Sequence, residues 1–301
     1  MSELELEARE EDEGARLDVV LVRRIEGLGR AGAKRIIEEG KVEVDRRRRA
    51  KGYRVSAGER ITVSELPSPS DFYCEPDPDL PLVVLFENDR FVIVDKAAGT
   101  PSHPLHEGER GTLTGALVAR YPEMREVGYR KREPGIVHRL DTGTSGLVIA
   151  ARTEEAFESL RDMLRAGQIE KRYLARCVGD VVAPQTIDAP IANDPNNERR
   201  VRVCTDPREI KRLAAAPATT EVLTSRPAPL GSLVEVRANH ARRHQVRAHL
   251  ASIGHPLLGD PLYGGPELPN TPHHLLHASA IRIDTTWTTS PWGQATPRKP
   301  I

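Results

Sequence analysis

The sequence predicts a two-domain protein of the α+β class. Three observations carry that expectation. Residues 16–63 read as two helices followed by two short strands. Pro-rich residues 64–81 then interrupt the pattern. From Leu82 onward, short β-branched runs alternate with single amphipathic helices. The length of 301 residues is enough for one or two sizeable cores.

Each element has a local reason. Residues 1–14, MSELELEAREEDEG, are so acidic that a disordered tail is expected. From Arg16 the run Leu17-Asp18-Val19-Val20-Leu21-Val22 starts a helix, and Gly27 to Arg30 makes a turn. Ala33, Ile36 and Ile37 recur at helical spacing, with Gly40 as the stop. Lys41–Val44 and Arg60–Val63 read as strands, with the basic loop Asp45–Gly52 between them. Residues 15–65 thus form a first domain, 66–81 a semi-rigid linker and 82–301 a second domain. In the second domain, Leu82–Phe86 and Phe91–Lys96 form strand, polar turn, strand. Thr112–Tyr121 is a short helix, and Leu147–Ala150 is a buried strand. Thr153 caps a helix that runs to Arg165, with Phe157, Leu160 and Leu164 on one face. Ile169–Val178 alternates as a strand. Residues 184–220 are polar and irregular, apart from Val201 and Val203, which suit a strand. Two more strands follow at Thr220–Thr224 and Ser232–Arg237, then a helix from Ala241 through Leu250 towards Gly254.

Composition excludes several classes of function. No apolar stretch approaches the ~20 residues of a membrane span. The acidic N-terminus is not expected to act as a secretory or transit signal. Cys74, Cys177 and Cys204 lie far apart with no CxxC spacing, so they read as reduced, buried residues of a cytoplasmic protein, expected to be a monomer. Acids and bases balance at 44 each, yet residues 1–15 carry seven acids and one base, while residues 30–60 carry eleven bases and five acids. RNA binding depends on such local charge rather than on the total. There is no P-loop and no GxGxxG after a strand, and neither acid nor cysteine completes a set around His103 and His106, so no cofactor and no metal are expected.

The stretch His138-Arg139-Leu140-Asp141-Thr142-Gly143-Thr144-Ser145-Gly146 sits between two apolar runs. A polar insert there admits two readings. It could be a tight turn in which Asp and Thr satisfy local backbone donors, or it could be a chemical site built on the Asp141 carboxylate.

HRLDTGTSGL resembles the signature of pseudouridine synthases of the RluA type, which isomerise uridines in ribosomal and transfer RNA. Phe91–Gly99 resembles the opening of their catalytic domain, with Ala97 where the family has Pro. Lys171-Arg172-Tyr173-Leu174-Ala175 resembles their K.Y.A strand. ARRHQVRAHLASIGHPLLGDPLYGG resembles their third motif, with Ala241 for a Gly and Arg243 for a Thr or Ser. The helix pair and basic loop resemble the S4 RNA-binding domain. The likeness covers roughly residues 16–284, and the tail beyond Asp284 lacks the helical end it would imply.

The resemblance implies a small S4-like module before a mixed, mostly antiparallel catalytic sheet with a central cleft. It makes Asp141 the catalytic residue, Tyr173 the ring that packs on the target base, and Arg247 the partner of the carboxylate. Arg139 would fill the gap left by a flipped nucleotide or contact its phosphate, and His138, Thr144, Arg242, His244 and Gln245 would also line the substrate. In the S4-like module, Arg30, Lys34, Arg35, Lys41, Arg46, Arg47, Arg48 and Arg49 would lie along RNA phosphates. Family members with this module tend to act on large-subunit ribosomal RNA, so rRNA is the expected partner, with tRNA as the alternative. Two other classes stay open. One is a non-catalytic RNA-binding protein. The other is a hydrolase using Asp141 with a second carboxylate, for which Asp260 is the nearest candidate although Gly259-Asp260-Pro261 reads as a turn.

Overall fold

A computed structural model of the chain describes residues 4–25, 28, 30–66, 72–239, 241–283 and 286–291. The chain divides into two compact units, Met1–Tyr73 with Leu105–Gly108, and Cys74–Pro104 with Glu109–Ile301.

The first unit packs two helices, α1 (Leu17–Arg24) and α2 (Arg30–Glu38), on a four-stranded antiparallel sheet. Its strands are β1 (Leu4–Glu7), β2 (Val42–Val44), β3 (Arg47–Arg48) and β4 (Arg60–Val63), in the order β1-β4-β2-β3. Leu17, Val20, Leu21, Ala33, Ile36 and Ile37 bury one face of the helix pair against Val42, Val44, Ile61 and Val63. Two residues of the turn expected at Gly27–Arg30, Gly27 and Gly29, lie outside the described residues. Two sequence expectations are corrected here. Residues 4–14 of the expected 1–14 tail are ordered: Leu4–Glu7 pairs antiparallel with β4, Leu4 opposite Val63 and Glu7 opposite Arg60. The Leu-Glu alternation puts Leu4 and Leu6 on the core, and Asp12, fully buried, pairs with Arg23 at 3.1 Å and Arg24 at 3.2 Å. Acidity there reflects paired charge and not solvation. The arginine run is likewise no open loop. Asp45 and Arg46 both take positive φ, 48° and 62°, which closes a tight hairpin into β3 and leaves Arg46, Arg47 and Arg48 exposed.

The second unit is built on a nine-stranded sheet. Its strands are β5 (Val83–Glu87), β6 (Phe91–Lys96), β7 (Ser145–Ala151), β8 (Ile169–Val178), β9 (Gln185–Asp188), β12 (Thr219–Ala228), β13 (Gly231–Arg237), β14 (Leu276–Ile283) and β15 (Thr286–Thr289). The order is β5-β6-β7-β14-β8-β13-β12-β9, with β15 also paired to β14. Only β7 and β14 run parallel among the described pairs. A separate ribbon joins β10 (Ile191–Asn193) to β11 (Val201–Val203). Alternation along β7 divides the core: Val148 and Ala150 face one cluster, and Leu147, Ile149 and Ala151 the other. The first face is covered by α3 (Leu113–Arg120) and α6 (Gln245–Ser252), and the second by α4 (Glu154–Arg165). Thr112 and Thr153 cap α3 and α4 by accepting from the N–H groups of Gly115 and Ala156.

Four further differences from the sequence reading have local causes. Residues 74–79 are part of the second unit, where Cys74 is buried and Asp77 accepts from Gly111 N at 2.8 Å; proline content alone suggested a linker. The 184–220 segment holds β9, β10 and helix α5 (Pro207–Leu213), too short to show periodicity. The helix expected from Ala241 begins only at Gln245, because His244 takes a left-handed conformation, φ 55°. The chain beyond Asp284 adds the edge strand β15 before leaving the described residues. All three cysteines are free and buried, and no helix among the described residues is long and apolar enough to cross a membrane.

β7 and β14 approach so closely at Gly146 that no side chain fits. Gly146 has φ +110°, and a Cβ there would lie 2.2 Å from the carbonyl oxygen of Ala278. Gly146→Ala is therefore expected to cost at least about 3 kcal/mol. Urea unfolding of the full-length protein checks this, and a midpoint equal to wild type would contradict the packing.

Candidate active site

Three segments distant in sequence meet on the α6 side of the sheet. The loop before β7 supplies Asp141, β8 supplies Tyr173, and α6 supplies Arg247. Arg247 is only 5 % exposed, and its guanidinium spends all three nitrogens on carboxylates. Nη1 donates to Asp141 Oδ2 at 2.9 Å, while Nε and Nη2 donate to the two oxygens of Asp260 at 2.8 and 2.9 Å. The guanidinium also lies 5.1 Å from the centre of the Tyr263 ring, a cation–π distance. Sequence reading assigned Asp260 to a turn and passed over Tyr263. The turn is real, since Pro261–Tyr263 forms a short 3-10 helix, but the Asp260 side chain points inward and is fully buried. Nothing in a Gly-Asp-Pro triplet announces that pairing.

Arg247 holds one oxygen of Asp141 and leaves the other open. That Oδ1 lies 3.8 Å from His244 Nε2 and faces a cavity of about 810 Å³. Asp141, Tyr173, His244, Arg139 and Lys171 line it. Burial, with Asp141 adding to it, pushes the Tyr173 hydroxyl well above its ordinary value, so this phenol stays protonated at neutral pH. Burial pushes His244 down to about 4, against the pull of Asp141, so its ring is neutral. Lys171, unmarked by the sequence as a site residue, is pushed down to about 8 by burial. The Asp260 route to a hydrolase loses its second free carboxylate, because both Asp260 oxygens are committed to Arg247.

The Asp141 loop is pinned from two sides. Lys96 is 1 % exposed and donates to the carbonyls of Ala97, Thr100 and Thr142 at 3.0, 2.7 and 3.2 Å. Burial lowers this ammonium to about 8, partly offset by Asp141 and Asp95. Ser102 Oγ donates to the Leu140 carbonyl at 2.8 Å. The neighbouring Ala97–Thr100 segment lacks the proline of the family motif, and the Lys96 bonds tie it to the Asp141 loop.

The other expected site residues divide into two groups. Arg139 is exposed at the cavity, 3.5 Å from His103 Nε2, and Arg242 lies there too, with Nε on the Pro217 carbonyl at 2.8 Å. His138 and Thr144 also line the cavity but hold the scaffold: His138 Nε2 accepts from Ile149 N at 3.1 Å, and Thr144 Oγ1 sits 2.8 Å from His274 Nε2. Gln245 also lines the cavity; it is 2 % exposed, its Oε1 accepts from Arg242 N, and its Nε2 donates to Thr219 O and Thr220 Oγ1. In the first unit Arg35, like the exposed arginines of the hairpin, faces solvent, and Arg49 stacks over the Tyr53 ring at 4.6 Å. Lys34 lies 3.8 Å from Glu38, and Lys41 is engaged by Glu39 and Glu65 at 3.0 and 2.9 Å. Arg30 opens α2, and its side chain lies outside the described residues.

A mixed sheet carrying an arginine-clamped carboxylate under a basic cavity, with a small helix-and-sheet unit presenting exposed arginines, defines an α+β enzyme with an RNA-binding module. Comparison with known proteins identifies the family. Residues 90–252 match the family model described as RNA pseudouridylate synthase, and residues 15–61 match the S4 domain. The chain belongs to that family: it is an RNA pseudouridine synthase, an intramolecular isomerase, with an N-terminal S4 domain. It is 38 % identical over 251 residues to an uncharacterized RNA pseudouridine synthase of Chloroflexus aurantiacus, spanning 83 % of this chain and 75 % of that one. It is 35 % identical over 258 residues to the ribosomal large subunit pseudouridine synthase D of Zymomonas mobilis, spanning 85 % and 78 %. The solved structure of human RNA Pseudouridylate Synthase Domain Containing 1 shares the fold, with TM-score 0.56 at 24 % identity over 72 % of this chain and 86 % of that one.

The fork of Arg247 cannot be replaced by a point charge. Arg247→Lys is expected to lose at least about 100-fold in turnover and about 2 kcal/mol in stability, because one ammonium cannot serve both Asp141 and a buried Asp260. Single-turnover rates and urea melts check it, and wild-type values for Arg247→Lys would show that only charge matters.

Proposed function

We propose that this synthase converts a uridine of large-subunit ribosomal RNA, with Asp141 as the reacting carboxylate. The observation that carries the reading is the asymmetry of that carboxylate, one oxygen clamped by Arg247 and the other open to the cavity. The reaction breaks the bond from C1′ to N1, turns the uracil and rejoins it through C5. It adds no group and changes no oxidation state. An ionised carboxylate at C1′, at C6 or near the C2′ proton is the group it needs. The target uridine must leave the RNA stack to reach a carboxylate at the bottom of a cavity. Tyr173 then offers a ring to the extruded base, an interaction worth about 1–3 kcal/mol. Arg139, exposed beside the cavity, takes the flipped nucleotide's phosphate or its vacated place.

The exposed arginines of the first unit supply non-specific phosphate contacts, and the sequence signal comes from RNA shape around the target. Ribosomal RNA is favoured because several relatives at 33–35 % identity carry the name ribosomal large subunit pseudouridine synthase D. In this reading the protein works as a cytoplasmic monomer. Mapping pseudouridines in total cellular RNA with and without the gene tests the target. Loss of a site in large-subunit rRNA is expected, and loss only in tRNA would overturn it.

Two further outcomes are expected. Asp141→Asn keeps the shape but removes nucleophile and base, so turnover should vanish while RNA affinity stays within about tenfold. A rate above roughly 5 % of wild type, with deamidation excluded, would remove Asp141 from the chemistry. Replacing Arg46, Arg47 and Arg48 by Gln should flatten the log–log salt dependence of RNA affinity by about 0.7–0.9 for each phosphate no longer neutralised. An unchanged slope in a salt titration would show that the hairpin does not meet RNA.

A further inference from the structure

Tyr263 joins two groups of the site. Its hydroxyl accepts from the Val201 backbone N–H at 2.9 Å and lies 3.0 Å from His244 Nδ1. A phenol has one hydrogen to give. Val201 supplies the hydrogen of the first contact, which leaves the phenolic hydrogen available for the second, with Nδ1 as the accepting nitrogen. In that arrangement a neutral His244 ring carries its hydrogen on Nε2. That is the nitrogen 3.8 Å from Asp141 Oδ1, the oxygen that Arg247 leaves open. The ring has little freedom to turn. It meets Tyr263 edge-on, with centroids 5.8 Å apart, and its backbone is fixed in the left-handed conformation that starts α6.

We propose that Tyr263 is a positioning residue that locks His244 in the Nε2–H tautomer, so that His244 donates to the open oxygen of Asp141 in the RNA-bound enzyme. The inference rests on Asp141 as the reacting carboxylate. A contact of 3.8 Å is longer than a hydrogen bond, and catalytic contacts of this kind tighten when substrate is bound. Asp141 then has a donor on each oxygen, Arg247 Nη1 and His244 Nε2–H. One consequence is exclusion: a ring with Nδ1 occupied by Tyr263 and Nε2 protonated cannot accept the proton that leaves C5. His244 aims the carboxylate and takes no part as a base.

The test reads the His244 tautomer, which a merely structural role would not set. The charged and titratable groups facing the His244 ring are Asp141 and Asp260, which favour the cation, Arg247, Arg243 and His274, which disfavour it, and Tyr263 itself. Burial holds His274 near 4 as well, so it does not titrate between pH 5 and 8. In wild type the His244 donor is present in both neutral and charged rings, so it adds no pH dependence over that range. Tyr263→Phe removes the hydrogen given to Nδ1. The neutral ring is then free to carry its hydrogen on Nδ1, which turns a bare Nε2 towards Asp141.

The Tyr263→Phe protein is expected to lose about tenfold or more in single-turnover rate. ¹⁵N-histidine NMR of the wild-type protein should show His244 neutral, with Nε2 protonated, from pH 5.5 to 8, and an Nδ1–H ring would overturn the proposal. So would a Tyr263→Phe rate that matches wild type. If removing the Val201 hydrogen bond unfolds that variant, His244→Gln against His244→Ala decides: the amide N–H of Gln retains a donor and should keep clearly more activity, and equal losses would overturn the proposal. An active Asp141→Asn would instead end the reading of Asp141, whatever the tautomer found by NMR.

Discussion

The structure of the site depends on one guanidinium. Arg247 is nearly dehydrated, and an isolated charge there would cost several kcal/mol. Its planar fork offsets that cost by meeting Asp260 with two parallel bonds and Asp141 with a third. The two carboxylates have different tasks. Asp260, fully buried, balances the charge and fixes the plane of the guanidinium. Asp141 receives only its end, keeps one oxygen free, and stays partly accessible. A lysine, or an arginine lacking Asp260, would not leave that arrangement in place.

The surrounding elements serve to bring the guanidinium and the carboxylate together. α6 carries Arg247 and begins abruptly after a left-handed His244, which places the imidazole beside Asp141. The turn from Gly259 to Gly264 carries Asp260 and Tyr263 to the same point, one as a counter-ion and the other as a ring under Arg247 with a hydroxyl on His244. On the opposite side, Lys96 gathers three carbonyls and ties the Ala97–Thr100 loop to the one that bears Asp141. Gly146 then lets β7 run against β14 without a side chain between them. Each of these is a rigid support for the Asp141 carboxylate, the group to which the proposed function assigns the reaction.

The first unit shows a different use of charge. Its acidic leading segment neutralises Arg23 and Arg24 through Asp12 and Glu11 and adds a strand to the sheet. Exposed arginines of this unit include Arg35 of α2 and Arg46, Arg47 and Arg48 of the tight hairpin after β2. A formally neutral chain thereby keeps a basic face available for RNA without long acidic and basic arms.

By itself the sequence determined the α+β class, the two-part organisation and most long strands and helices, and it singled out Asp141, Tyr173 and Arg247, which line one cavity. Those features are local: alternation, helical spacing, caps, and motifs whose residue types carry the chemistry. Tertiary structure alone decided the rest. Leu4–Glu7 is a strand because β4 offers it a partner and Asp12 finds two arginines, and composition cannot see either. Gln245 resembles a substrate contact in the motif, and its amide is bonded to Arg242, Thr219 and Thr220. Asp260 and Tyr263 read as turn residues, yet they hold Arg247 and His244. The physical reason is common to all of these cases. Propensity and periodicity fix where a backbone goes, whereas the partner of a buried polar group depends on which distant segment is packed against it, and only the folded chain supplies that neighbour.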